Sequence, residues 1–251
     1  MESNNLVSII TAAYNCSNTI KKTYDSIKKQ TYGLWEWLII EDCSTDNSFE
    51  YISELIKNDK RVHLFRTHKN SGSAVARNIG LKNASGRYIT FLDADDLLDD
   101  LYIENQLDFI KLHGPIVSSG YRRKTEKTCT DFIPSNIITY EKELSGNDLS
   151  CLTTMFDKST VGERYFPEDL LKREDYAFWL NILKDGFVAR GNPAVLATYM
   201  IHGGSKSSNK FKLIKYQYSV YHKSQGFNWL KSCFYVLKWA LYGRKKYKNV
   251  K

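Results

Sequence analysis

No apolar run in the 251-residue chain reaches the roughly 18 residues needed to cross a bilayer as a helix. The first residues carry Glu2 and no basic cluster, unlike a secretion signal. Both absences lead us to expect a chain that stays in the cytoplasm. Cys16, Cys43, Cys129, Cys151 and Cys233 fall singly, with no pair at metal-ligand or redox spacing, and their odd number argues against a disulfide framework. We read them as reduced filler. The five histidines are equally dispersed, so no zinc cluster is visible, and there are no internal repeats or low-complexity tracts. The last absence is one-sided: beyond Asp185 there is no Asp or Glu. Thirteen of the 36 Lys and Arg lie there, leaving 23 basic against 28 acidic side chains in residues 1–185, so the net charge of +8 belongs to the tail.

What is present suits a soluble globular enzyme, since 42% hydrophobic residues is enough for an ordinary core. Leu6 to Ala13 reads as a buried strand that exits at Tyr14 and Asn15, and Thr19 to Gln30 has helical spacing of Ile20, Tyr24 and Ile27. Strands follow at 35–40, 61–66 and 87–92, with helices at about 47–58 and 71–83 between them. Four strand-loop-helix units in succession predict an α/β fold with a parallel sheet and right-handed crossovers. Ligands of such a sheet sit at the carboxyl ends of its strands, where Tyr14, Asp42 and Asp93 fall. A helix is expected over Leu97 to His113, a strand over Ile116 to Ser119, a loosely patterned stretch to Glu174, a helix over Glu174 to Lys184 and a strand over Val195 to Ile201.

Asp93, Asp95 and Asp96 crowd like charge into four residues after a strand, which is unfavourable without a compensating cation or donor. Carboxylates there suit Mg²⁺ or Mn²⁺ shared with substrate phosphates. They equally suit the first turn of a helix. Glu174 and Asp175 also open a helix, so they too have a structural alternative to acid-base work.

Five segments in order, VSIITAAYN (7–15), EDCSTDNS (41–48), SGSAVARNIGL (71–81), GRYITFLDADD (86–96) and REDYAFWL (173–180), resemble the inverting nucleotide-sugar glycosyltransferases of family 2. The resemblance spans about residues 6–205 and implies a GT-A fold, a Rossmann-like nucleotide-binding sheet with helices on both faces. By position, it implies that Ala12 and Tyr14 hold the nucleotide base and that Asp42, beside Glu41, accepts from the uracil imide. It places Arg77 toward the diphosphate, Asp93 near the ribose and Asp95 on the metal, with Asp96 able to share or replace Asp95. Asp175 would be the base, with Glu174 the less favoured base or an acceptor-hydroxyl ligand. His202, in a glycine-serine loop resembling the family's closing segment, would contact diphosphate or metal. Core packing for Tyr14, a helix cap for Asp42, a surface ion pair for Arg77 and a structural role for His202 are the alternatives.

The expected domains are a catalytic unit over 1–205, with a nucleotide-binding half over 1–96 and an acceptor-binding half over 97–205, and a basic tail over 206–251. In the tail, Phe227, Leu230, Phe234, Leu237 and Leu241 have helical spacing, with Lys231, Lys238 and Lys245 seven residues apart. A basic aromatic tail on an acidic body suits an anionic membrane surface better than nucleic acid, and the same helix could equally pack on its own domain or a partner. The expected reaction is metal-dependent transfer of a hexose, glucose or galactose first, from a UDP-sugar to a hydroxyl of a lipid-diphosphate-linked saccharide. The product would be a β-linkage in O-antigen or polysaccharide repeat-unit assembly at the inner membrane face. Rival readings are a capsule, teichoic-acid or protein acceptor, and a noncatalytic nucleotide-binding module with an RNA-binding tail.

Overall fold

The computed structural model describes residues 5–201 and 210–248. The elements run β1 (Val7–Ala13), α1 (Ile20–Lys28), β2 (Trp35–Glu41), α2 (Ser48–Ile56), β3 (Val62–Arg66), α3 (Ser73–Asn83), β4 (Tyr88–Phe91), β5 (Leu97–Leu98) and α4 (Tyr102–His113). They continue with β6 (Ile116–Lys124), β7 (Cys129–Phe132), β8 (Ile137–Ile138), α5 (Tyr140–Glu143), β9 (Thr154–Asp157), α6 (Lys158–Val161), α7 (Glu174–Lys184) and β10 (Ala189–Met200). The C-terminal part holds α8 (Lys210–Ser219), a π-helical turn over Val220–Ser224, and α9 (Trp229–Lys248).

The sheet order is β3-β2-β1-β4-β9-β6-β10-β5, with β7 beside β6 and β8 beside β10. Strands β1 to β4 are mutually parallel. Parallel strands are covered on both faces by their crossover helices, which is why VSIITAA and WEWLIIE read as continuous apolar runs and are buried almost throughout. One face packs Ile9, Trp37 and Ile39 against Ile20, Tyr24, Ile27 and Ile52. The other packs Ile10, Leu38 and Ile40 against Ala76 and Leu81 of α3. Helix α3 lies so close that a Cβ on Gly80 would come within 2.4 Å of Ile10 Cγ2, so only glycine fits there without a shift.

The second half departs from a simple alternation. Strand β9 enters antiparallel between β4 and β6, where no strand was expected, because four residues of TMFD carry too little periodicity to be recognised. Leu97 and Leu98, expected to open a helix, instead pair antiparallel with Thr198 and Ala197 of β10, and the helix begins at Tyr102 after the Asp99 turn. Strand β10 starts six residues earlier than expected and carries register shifts around Pro193.

The C-terminal helices are not a separate arm. Val220 and Tyr221 are buried with Tyr176, Ala177 and Leu180 of α7, and Phe227, Tyr235 and Val236 pack against the same cluster. The Tyr221 hydroxyl donates to Leu144 O at 2.6 Å, and the Tyr176 hydroxyl to Glu143 O at 2.5 Å. No described helix is long and apolar enough to cross a membrane.

A local test of this packing lies where β3 begins. Asp59 accepts from Arg61 and from the Tyr24 hydroxyl, and the Arg61 hydrogen bonds pull its carboxyl down to about 2 from 3.8. Because the folded-state value is depressed, the stability it contributes is present above pH 3.8 and is lost as pH falls toward 2. Asp59→Asn is expected to cost about 1 kcal/mol at neutral pH, with the difference shrinking to nothing in acid. Urea unfolding of both proteins across that range measures it.

Candidate active site

The loops leaving β1 and β2 are tied together before any ligand arrives. Asn15, in the left-handed region at φ 49°, accepts from Thr45 N at 2.9 Å, and its backbone N–H donates to Ser44 Oγ at 2.9 Å. Cys43, at φ 56°, is a second left-handed residue on the same rim. Such backbone is costly for residues with a Cβ and clusters at functional sites. Tyr14 projects from this rim with 40% of its surface exposed, so it is not core, and Ala12 is half-buried beneath it.

Asp42 is buried, and both of its oxygens are in use. Oδ1 accepts from Thr67 Oγ1 at 2.8 Å and Ser71 N at 2.9 Å, and Oδ2 from Gly72 N at 2.7 Å. Gly72, at φ 90°, delivers that N–H in a conformation side chains resist. Asp42 thus builds the loop entering α3 rather than capping the helix that follows β2, and an imide N–H would have to displace one of these donors. Glu41 likewise turns inward, accepting from Ser44 N at 2.5 Å.

Arg77 sits at the centre. It is 6% exposed, with Nη2 donating to Asp93 Oδ1 at 2.8 Å and Nη1 to Glu174 Oε1 at 3.3 Å. Ser73, one turn earlier on α3, donates its hydroxyl to the same Glu174 oxygen. These contacts join the carboxyl end of β4 to the first turn of α7, 81 positions apart in sequence. Aromatic packing fixes the same junction: Phe178 and Trp179 of α7 meet Phe91 edge-on, with ring centroids 5.9 and 6.2 Å apart. Asn78 adds a clamp, accepting from Phe166 N at 2.7 Å and donating to Phe166 O at 3.0 Å. The charge of Asp93 and Glu174 outweighs burial and drives the Arg77 guanidinium further toward its protonated form.

The three acids of the cluster separate. Asp93 and Asp95 are half-buried at the cleft. Asp96 is fully buried and accepts from Met200 N at 2.8 Å, while its other oxygen has no partner among the described residues. Burial, with Asp93 beside it, pushes the Asp96 carboxyl well above the usual carboxylate range. Asp96 thereby ties β10 to the cluster through the Met200 N–H. Among the described residues no three His, Cys, Asp or Glu side chains form a closed metal cage. Two half-buried carboxylates at the end of β4 offer hard oxygen donors, with other positions left to phosphate and water, which fits Mg²⁺ or Mn²⁺.

Asp175, next to the engaged Glu174, is half-buried and takes no hydrogen bond or ion pair among the described residues. His202 lies outside the described residues. Two neighbours escaped sequence reasoning. Cys151, read as filler, is buried within the electrostatic reach of Arg77, Asp93, Glu174 and Asp175, and burial holds its thiol protonated. Tyr199, near the end of β10 and 40% exposed, lies within the electrostatic reach of Asp96, Asp93 and Asp95, and partial burial together with those acids raises its hydroxyl. Neither belongs to a motif, and only the β9 and β10 pairings bring them in.

The model of glycosyl transferase family 2 matches residues 8–162. The chain belongs to glycosyl transferase family 2. The Escherichia coli protein WfaP, described as a UDP-Glc:alpha-D-GlcNAc-diphosphoundecaprenol beta-1,3-glucosyltransferase, is 39% identical over 217 residues, 86% of this chain and 85% of that one. The Bacillus subtilis protein TuaG, described as a putative teichuronic acid biosynthesis glycosyltransferase, is 36% identical over 245 residues, 96% and 97% of the two chains. The solved mannosyltransferase PcManGT of Pyrobaculum calidifontis, in complex with GDP-Man and Mn²⁺, superposes with a TM-score of 0.67 at 17% identity over 88% of this family 2 chain and 64% of its own. That last likeness is one of fold, and it agrees with the GT-A arrangement of the sheet and its helices.

Proposed function

We propose that this family 2 enzyme is an inverting, metal-dependent hexosyltransferase that moves glucose or galactose from its UDP derivative to a hydroxyl of a lipid-diphosphate-linked saccharide. The observation that carries the reading is the Arg77 bridge, which sets the acids at the end of β4 and at the start of α7 around one cleft. The likeness to WfaP supports the donor, the acceptor class and a β-linkage.

Tyr14 and Ala12 line the base side of the cleft, and Asp42 shapes that side and takes the uracil imide in exchange for a loop donor. Asp93 faces the ribose. Asp95 and Asp93 would hold the divalent cation, which when bound neutralises charge gathering on the departing diphosphate. Arg77, whose Nη2 and Nη1 already serve Asp93 and Glu174, acts by fixing those two carboxylates in place. Asp175 takes the proton from the acceptor hydroxyl as the C–O bond to the diphosphate breaks on the opposite face. Glu174 Oε1 is held by Ser73 and Arg77 and serves orientation.

The test is a donor screen with purified protein, a lipid-diphosphate-linked GlcNAc acceptor and Mn²⁺ or Mg²⁺. UDP-glucose or UDP-galactose is expected to turn over, and chelator to reduce turnover at least a hundredfold. Turnover that persists in chelator rules out the metal. The likeness to TuaG favours one other acceptor, a growing anionic polysaccharide, and the same screen with such a primer separates the two.

The tail reading is sharpened by α9. Leu230, Phe234, Leu237 and Leu241 are each more than half exposed along one side, while Tyr235 and Val236 face the core. Lys231 and Lys238 lie over the Phe227 and Phe234 rings at 3.9 and 4.8 Å. This is an apolar stripe with cations beside it, suited to an anionic lipid surface at the cytoplasmic face of the membrane. Deleting the tail would uncover the α7 core, so the clean variant is Leu230→Gln with Phe234→Gln and Leu237→Gln. It is expected to cut sedimentation with phosphatidylglycerol vesicles at least tenfold while thermal stability holds. Unchanged sedimentation would remove the proposal.

A further inference from the structure

Arg173 precedes Glu174 and Asp175, and its backbone is left-handed, at φ 67° and ψ 23°. A residue with a Cβ adopts that conformation at a cost of about 1 kcal/mol or more, and only where its surroundings hold it. It is the N-cap of α7, yet it caps nothing with its side chain. The guanidinium points to the C-terminal helices instead. Nε donates to Gln217 Oε1 of α8 at 3.0 Å, and Nη2 to Asn147 Oδ1 at 3.2 Å. The group also lies over the Tyr176 ring at 4.7 Å and the Trp239 ring of α9 at 5.6 Å.

The acceptor that fixes it is itself fixed. Gln217 is fully buried, and its amide donates to the Tyr221 hydroxyl at 2.9 Å, which donates onward to Leu144 O. A chain of hydrogen bonds therefore runs from the tail to the residue at which α7 begins. The direction in which α7 leaves Arg173 decides where the first-turn side chains of Glu174 and Asp175 point. An error of about 1 Å there is enough to cost a large factor in turnover.

We propose that Arg173 is a positioning residue for the acids of α7, held in its left-handed conformation by Gln217 and Trp239. The C-terminal helices then complete the catalytic unit rather than only anchoring it. This rests on the reading of Asp175 as base given above, and it assigns the tail a second task that surface binding alone does not require.

Gln217→Leu removes the acceptor for Arg173 without touching the cleft, Gln217→Glu keeps an acceptor, and Arg173→Gly keeps the backbone conformation without the guanidinium. With the UDP-hexose that the donor screen identifies, Gln217→Leu and Arg173→Gly are expected to lose about tenfold or more in kcat. Donor KM and calorimetric UDP affinity should stay within twofold, with rates expressed per UDP-binding site. Gln217→Glu should keep at least half of wild-type kcat. Should Gln217→Leu fail to fold, Trp239→Leu takes its place with the same expectation. Wild-type kcat in Arg173→Gly, or a loss that disappears when rates are counted per UDP-binding site, overturns the proposal. Asp175→Asn run beside them keeps the two readings apart. Full activity there with a loss in Gln217→Leu rejects the base and leaves the positioning of α7 standing.

Discussion

Asp175→Asn is expected to lower transfer about a thousandfold while UDP affinity changes less than twofold. The size follows from the task, since general-base assistance is worth roughly 10²- to 10⁴-fold. The choice of residue follows from which carboxylate is at liberty. Glu174 receives the Ser73 hydroxyl and an Arg77 N–H on one oxygen, and Asp93 receives the other Arg77 nitrogen. Asp42 is filled by loop donors, and Asp96 is buried and held toward its neutral form. Asp175 alone among these acids has no hydrogen-bond or ion-pair partner among the described residues while lying half-buried at the cleft. Asparagine keeps its shape and removes only the ability to take a proton. Initial rates and isothermal titration with UDP measure the two effects, and turnover within tenfold of wild type would move the base elsewhere.

Much of this arrangement was legible beforehand, and the reason is physical. Parallel strands covered on both faces must be written as unbroken apolar runs, so β1, β2 and β4 announce themselves, and the acids that follow them land at the carboxyl ends. The antiparallel additions were not legible. Strand β9 has four residues, β5 has two, and each is fixed by partners distant in sequence, β4 and β6 for β9 and β10 for β5, rather than by its own pattern. The same non-local pairing hid Cys151 and Tyr199. The packing of the tail on α7 was left open beside membrane docking for a related cause. Its sequence shows one apolar stripe, but α9 uses two sides, with Tyr235 and Val236 against α7 and Leu230, Phe234 and Leu237 outward. Asp96 could not be separated from Asp93 and Asp95 by spacing, because the distinction lies in the N–H of Met200, 104 positions away.

The second large effect is expected at Arg77, where fold and site share one side chain. Arg77→Met retains much of the volume and the contact with Phe166, whose ring centroid lies 5.4 Å from the guanidinium carbon. It leaves Asp93 and Glu174 facing each other across a space from which their common cation has gone. Removing one partner of a buried ion pair costs roughly 3–5 kcal/mol, and the lower end applies here because Glu174 is left buried while Asp93, with 41% of its side chain exposed, is partly resolvated. In a chain of this size each kcal/mol is worth about 2–4 °C, so a fall in Tm of roughly 10 °C is expected. Turnover should fall at least a hundredfold even well below that Tm, since Glu174, and with it the first turn of α7, loses the contact that places it against β4. Arg77→Lys separates the two consequences. One ammonium restores charge but cannot span both carboxylates with a planar fork, so Tm should recover by at least half and kcat should not. Scanning calorimetry and initial rates on the three proteins give the comparison. If Arg77→Lys recovers both quantities, the charge alone matters and the bridge has no geometric role.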